Sequence, residues 1–128
     1  MSFRDLNANL KEVHGISAQV VNTGGGAVNS GDVDLQGFGG AVCVFNIGAN
    51  GGDTLNGTNF LTVSIQHADD DGTGAADSYG NVAVADIKGA TAASNIVITI
   101  DAAAEDELSY MFGYVVAKRF IKVTVTPN

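Results

Sequence analysis

The residues of this 128-residue chain that could support chemistry are two histidines, one cysteine, an acidic run and several glycine-rich segments. His14 and His67 each stand alone, and a lone histidine at the end of a strand is more often structural or solvated than catalytic. Cys43 lies in an apolar run, where cysteine behaves as a small buried hydrophobic side chain. The glycine-rich segments lack the lysine of a phosphate-binding loop and the serine of a nucleophile elbow. We therefore expect no enzymatic activity and no cofactor.

The strongest candidate for a metal site is the acidic run at residues 69–73, Asp-Asp-Asp-Gly-Thr. Hard cations such as calcium take clustered oxygen ligands, and Asp69, Asp71 and Thr73 have the spacing of half a calcium loop. The position at which such a loop carries a bidentate glutamate is Gly80. We favour a solvated hairpin turn and expect no metal, with Asp69 and Asp71 as the two residues to examine.

The elements that position these residues are predicted to be strands. Valine and isoleucine number 23 against 6 leucines, and β-branched side chains pack well on a pleated sheet. The 17 glycines cluster between the apolar stretches, where they mark turns. Seven or eight short strands with frequent turns predict a single all-β domain over residues 15–128, an antiparallel β-sandwich or jelly roll.

The hydrophobic pattern of several segments predicts individual strands. Residues 16–21 and 60–67 alternate apolar and polar side chains, which predicts strands with one buried face. Residues 41–47 are apolar on both faces, which predicts a central strand covered on both sides. Residues 111–116 and 119–126 are predicted to form a C-terminal hairpin.

The first fourteen residues follow a different pattern. Phe3, Leu6, Leu10 and Val13 recur at steps of three and four, which predicts a short amphipathic helix or arm over residues 1–14. Two roles are open for this segment. It could close one end of the domain's own core, or it could dock on a partner.

The charge balance excludes some partners. With 6 basic and 14 acidic residues the formal net charge is −8, which argues against nucleic acid because phosphate neutralisation needs lysine and arginine. No apolar run approaches the roughly 20 residues of a membrane helix, and one cysteine cannot form an internal disulfide. We therefore expect neither a nucleic-acid partner nor a membrane partner.

The charges are also distributed unevenly along the chain. Residues 12–86 contain nine acidic residues and no basic one, whereas Lys118, Arg119 and Lys122 cluster near the C-terminus. Such polarity can match an acidic surface to a basic one across a subunit interface. The candidate contact residues are these three basic residues and the apolar residues of the arm, Phe3, Leu6 and Leu10.

Several segments, taken in order and spacing, resemble small proteins that tailed bacteriophages encode beside the major capsid protein. These segments are residues 2–6, 33–38, 65–72, 84–87 and 112–123. The family in question is that of capsid decoration, or cement, proteins. The resemblance implies a β-sandwich or jelly-roll clip, often a trimer, that binds the major capsid protein on the outer surface of the virion. It implies that the clip stabilises the assembled shell.

We therefore expect a structural virion protein that decorates the phage head. One alternative is a virion-surface β-sandwich that binds a glycan or the host, although the absence of tryptophan weighs against sugar recognition. The other alternative is a head-completion or tail protein that forms a ring. The copy number per particle distinguishes a ring from decoration.

Overall fold

The computed structural model describes residues 10–22, 24–52, 54–89, 95–115 and 117–128. Within these ranges the chain forms two antiparallel sheets that pack together, which confirms the predicted all-β sandwich. The strands are β1 (Val28–Asn29), β2 (Val33–Asp34), β3 (Gly40–Asn46), β4 (Leu61–Ala68), β5 (Gly80–Asn81), β6 (Ile87–Lys88), β7 (Ile96–Ile100), β8 (Ser109–Val115) and β9 (Phe120–Pro127).

The helical segments of the described chain are two single turns of 3-10 helix, Val84–Asp86 and Ala103–Glu105. The second of these lies in the acidic stretch after β7. None of the described helices has the length and apolar character that crossing a membrane requires.

The first sheet is built around β4 and β9, which pair along their whole length from Leu61 opposite Pro127 to Ala68 opposite Phe120. The strands β1 and β2 pair with the other side of β9, and β5 and β7 pair with the other side of β4. The β4–β7 pairing has a register irregularity at Val63 and Ser64. The strand predicted at residues 60–67 is therefore confirmed as β4 and stands at the centre of this sheet.

The second sheet has three strands in the order β3-β8-β6. Seven consecutive residue pairs join β3 to β8, from Gly40 opposite Val115 to Asn46 opposite Ser109. The prediction of a central strand at residues 41–47 is wrong, because β3 lies at the edge of the described sheet and its residues alternate between exposed and half-buried. An apolar run indicates a strand but does not show that both of its faces are covered.

The core lies between the inner faces of the two sheets. Val63 and Ile65 of β4 are almost fully buried, as are Phe112 and Tyr114 of β8. The Phe45 ring of β3 stacks on Phe112 with ring centroids 5.9 Å apart. Because the inward side chains follow the two-residue period of each strand, every long strand presents its other side chains to the outside.

The N-terminal part of the chain differs from the predicted pattern. Residues 16–21 form no strand, although Ile16 and Val21 pack against the core. Leu10 and residues 11–14 are exposed and form no helix. Residues 1–9 lie outside the described residues, so the arm or helix predicted over residues 1–14 stays a prediction.

The C-terminal hairpin prediction is wrong. The strand β8 pairs with β3 and β6, whereas β9 pairs with β1, β2 and β4, so the chain passes from one sheet to the other between them. The Tyr114 hydroxyl holds this corner, because its oxygen accepts the backbone N–H groups of Ala117 at 3.2 Å and Lys118 at 3.0 Å. Alternation along β8 and β9 is the same in a hairpin and in a corner, so the pattern could not distinguish them.

Replacing Tyr114 by phenylalanine should destabilise the fold, because two corner amides and His67 lose their hydrogen-bond partner. We expect Tyr114→Phe to lower the free energy of unfolding by about 1–3 kcal/mol, measured by urea denaturation. The matched control is Tyr110→Phe, which removes a single hydrogen bond to the Glu105 carbonyl and should cost less. An equal or smaller loss in Tyr114→Phe than in the control would contradict the corner's dependence on this hydroxyl.

Candidate functional site

The predicted basic cluster is paired with carboxylates of the same chain. The Nε and Nη2 atoms of Arg119 donate to the two oxygens of Asp34 at 2.9 and 2.8 Å, and its Nη1 donates to Asp70. The Nζ of Lys118 donates to Asp69 at 2.8 Å. These pairs tie β2 and the acidic turn after β4 to the start of β9.

The two-pronged contact with Arg119 dominates the electrostatics of this cluster. It lowers the pKa of Asp34 to about 2, with a further contribution from the backbone N–H of Gln36, and it raises the pKa of Arg119. The guanidinium also lies 4.9 Å from the centroid of the Phe120 ring. Because the planar guanidinium contacts both carboxylate oxygens of Asp34, it fixes the relative orientation of the two side chains, which a single hydrogen bond would not do.

Lys122 lies apart from the other two basic residues, on the outer side of the first sheet. Its ammonium is 4.0 Å from the centroid of the Tyr79 ring, and the Tyr79 hydroxyl donates to Asp32 at 2.8 Å. Burial and the hydrogen bond to Asp32 raise the pKa of Tyr79. Lys118, Arg119 and Lys122 therefore each have a partner within the chain. Their role in capsid contact stays a prediction, as does that of Phe3 and Leu6, which lie outside the described residues.

The acidic turn uses its carboxylates to order its own backbone. Asp77 donates its N–H to the Asp69 carbonyl, and Asp70 bridges to Ala76, so the segment closes as a hairpin-like turn. The Oδ1 atoms of Asp70 and Asp71 accept hydrogen bonds at 2.7–3.3 Å from the loop residues Gly72, Thr73, Gly74 and Ala75.

These hydrogen bonds lower the pKa of both Asp70 and Asp71. Asp69, the third acidic residue, is paired with Lys118. Among the residues that the structure describes, no group of three histidine, cysteine or acidic side chains is placed to hold a metal ion. The geometry is that of a turn whose carboxylates cap its own backbone.

His67 is buried, with 8% of its surface exposed, and joins the two sheets. Its Nδ1 lies 2.9 Å from the Tyr114 hydroxyl, which already accepts two backbone N–H groups. A hydroxyl has two acceptor sites and one proton, so the proton of Tyr114 must point to Nδ1. We therefore assign His67 as neutral, with its own proton on Nε2, and burial lowers its pKa.

Cys43 lies half-buried on the inner side of β3. Burial raises the pKa of its thiol to about 11, so the reactive thiolate is scarce at neutral pH. This arrangement suits a packing role for Cys43, as its apolar surroundings in the sequence indicated.

The feature that stands out from the rest of the surface is an apolar patch on the outer face of the second sheet. Four large side chains there are strongly exposed, and we call them the apolar face: Val42 at 67%, Val44 at 62%, Met111 at 65% and Val115 at 45%. They are neighbours in the β3–β8 ladder. Val44 lies directly opposite Met111, and Val42 lies opposite Gly113, which stands between Met111 and Val115 on the same face of β8. Neither β3 nor β8 contains a charged residue.

The corresponding face of the first sheet is polar. Its side chains form three directly opposite pairs across β4 and β9: Thr62 with Thr126, Ser64 with Thr124, and Gln66 with Lys122. The two outer faces of the sandwich therefore differ in character. Sequence reasoning missed the apolar face, although its signal was present in the apolar run at residues 41–47.

Taken together, the fold and this surface define an all-β sandwich in which one outer face is polar and the other carries an apolar patch, with Lys88 of β6 beside it and a self-paired polar corner between the sheets. Searches of family models, of curated proteins and of solved structures found no match to this chain.

The stability of the fold should decrease as the pH is lowered through the range in which His67 titrates. The unfolded histidine has its ordinary pKa of 6.5 and the folded one a lower value, so the unfolded chain takes up the proton first as pH falls. We expect the free energy of unfolding to decrease from pH 7.5 to 5.5 in urea titrations. In His67→Asn, whose amide oxygen can still accept from Tyr114, this decrease should shrink. Identical slopes in the two proteins would show that His67 is not the group responsible.

The Arg119 fork should control the ionisation of Asp34. In Arg119→Met we expect the pKa of Asp34 to rise from about 2 towards its ordinary value of 3.8, followed by carboxyl NMR during an acid titration. Asp71 is the internal control, because Thr73 is the main cause that lowers its pKa. An Asp34 pKa that stays near 2 in the variant would assign the effect to the backbone instead.

Proposed function

We propose that this protein is a structural component of a phage virion that decorates the outside of the capsid and docks on the shell through the apolar face. The observation that carries the proposal is this face: four large, exposed, uncharged side chains on one sheet of a small acidic sandwich. The ordered resemblance to capsid decoration proteins supplies the class of partner, the major capsid protein.

A contiguous exposed apolar surface on a small protein marks a contact site, because leaving it in water is unfavourable. Burial of a valine or methionine side chain contributes about 1.5–3 kcal/mol, so a few such residues can supply most of a binding energy. Val42 and Val44 stand on β3 and Met111 on β8, all within a paired sheet whose backbone is already ordered before binding.

The polarity of the sandwich gives the bound molecule an orientation. With the apolar face against the shell, the threonines and Lys122 on the outer side of the first sheet point to solvent. The net charge of −8 suits the outside of a capsid better than an interior filled with nucleic acid, where carboxylates would face phosphates. Binding only the assembled shell would stabilise it by mass action.

The direct test is the amount of this chain in purified virions of the phage that encodes it. Quantitative mass spectrometry should find it in a fixed ratio to the major capsid protein, and it should be removable without loss of the packaged genome. A few copies per particle would indicate a ring-forming head-completion or tail protein. Absence from the particle would overturn the proposal.

The apolar face should be required for binding to the shell. We expect Val42→Lys together with Val44→Lys to weaken co-sedimentation with heads that have been stripped of this chain by about tenfold or more, since two buried valines are lost. Thr99→Lys with Ser64→Lys is the matched control, because it adds the same charge on the first sheet. Equal binding by the two double variants would move the contact away from the apolar face.

A further inference from the structure

Among the described residues, the edge strand β3 has no pairing partner on the side away from β8. The Ile47 N–H donates to the Leu108 carbonyl at 2.9 Å, and this pair continues the β3–β8 register. In an antiparallel ladder, residues that exchange hydrogen bonds with the partner strand alternate with residues whose N–H and C=O groups point the other way. Counting back from Ile47, the backbone groups of Val42, Val44 and Asn46 point to the open side.

This edge lacks the features that proteins use to prevent strand pairing. Its pairing with β8 is regular over seven residues, and the strand has no charge, no proline and no bulge. The other described edge strand of comparable length is β7, whose pairing with β4 is irregular and which is followed by Asp101. The remaining edge strands of the described chain have two residues each.

We propose that the open side of β3 pairs in antiparallel register with β3 of a second copy of this chain. The pairing that uses the whole strand has a two-fold axis at Cys43 and places Val42 opposite Val44 of the partner subunit. It joins two three-stranded sheets into one of six strands and merges the two apolar faces. A two-fold pairing makes a dimer in place of the trimer that the resemblance implies, and it does not rest on a role in the virion.

The composition of this edge allows a second copy as the occupant. Two molecules that each carry −8 repel one another, and a contact that brings no carboxylates together keeps this repulsion small. The β3 edge and the apolar face provide such a surface, because β3 and β8 have no charged residue. A two-fold contact also needs a self-complementary surface, and an antiparallel strand edge is complementary to itself.

The dimer is tested by sedimentation of the full chain against Val44→Pro. The Val44 N–H points to the open side, so proline there removes a bond to the second copy and none to β8. We expect the wild-type protein to sediment as a dimer and the variant to dissociate at least tenfold more readily, with unchanged near-ultraviolet circular dichroism. Val44→Thr, which keeps the N–H, is the control and should remain dimeric. A wild-type monomer or trimer would overturn the proposal.

A second measurement holds even if Val44→Pro fails to fold. Hydrogen exchange of the wild-type protein should show the Val42 and Val44 amides protected, with protection that falls on dilution. Protection that is independent of concentration would mean that a segment of the same chain covers the edge, which overturns the proposal. Rapid exchange at all concentrations would overturn it as well.

The two proposals fail separately in these experiments. If head binding is lost in the Val42→Lys and Val44→Lys double variant but the wild-type protein is monomeric, the docking face stands and the strand pairing is wrong. If the wild-type protein is a dimer but is absent from virions, the pairing stands and the capsid role is wrong.

Discussion

The hydroxyl of Tyr114 fixes the point at which the chain leaves one sheet for the other, and much of the structure depends on it. It accepts the N–H groups of Ala117 and Lys118 and donates to His67, so all of its hydrogen-bonding capacity is used inside the protein. At this corner the chain leaves β8, and β9 enters the middle of the opposite sheet, where Ile121, Val123 and Val125 are buried in the core. The long β4–β9 ladder, which is the largest pairing in the fold, follows from that crossing.

The same corner explains why the basic residues are not a free patch. Once β9 starts beside the acidic turn, Lys118 and Arg119 lie within reach of Asp69, Asp70 and Asp34. Exposed ion pairs of this kind contribute little stability one by one, but a forked contact fixes the direction in which three segments meet. Lys118 and Arg119, two of the three basic residues that cluster near the C-terminus, are therefore used within the fold, whereas three of the nine acidic residues in 12–86 form ion pairs with them.

The sequence predicted the fold class because β-branched residues and glycine-marked turns are local signals, and the strand at residues 60–67 because its alternation is regular. It did not predict which strands become neighbours. Alternation in β8 and β9 is equally compatible with a hairpin and with a corner, and the pairings that distinguish them join residues far apart in the chain, such as His67 and Ile121. The apolar run at residues 41–47 indicated a strand correctly. Whether its second face was covered depended on tertiary packing, which no single-strand pattern reports.

That uncovered face changes where a partner should be sought. Basic side chains and an amphipathic arm were the contacts suggested by sequence, yet Lys118, Arg119 and Lys122 already have partners within the chain. Within the part of the chain that the structure describes, the second sheet exposes uncharged side chains on its face and unpaired backbone groups at its edge, and both are costly to leave unpartnered. Because the apolar face and the open edge both include β3, one contact can cover the exposed side chains and pair the backbone groups together. Pairing two edges would join the two apolar faces into one larger surface, so self-association would strengthen binding to a large shell through simultaneous contacts.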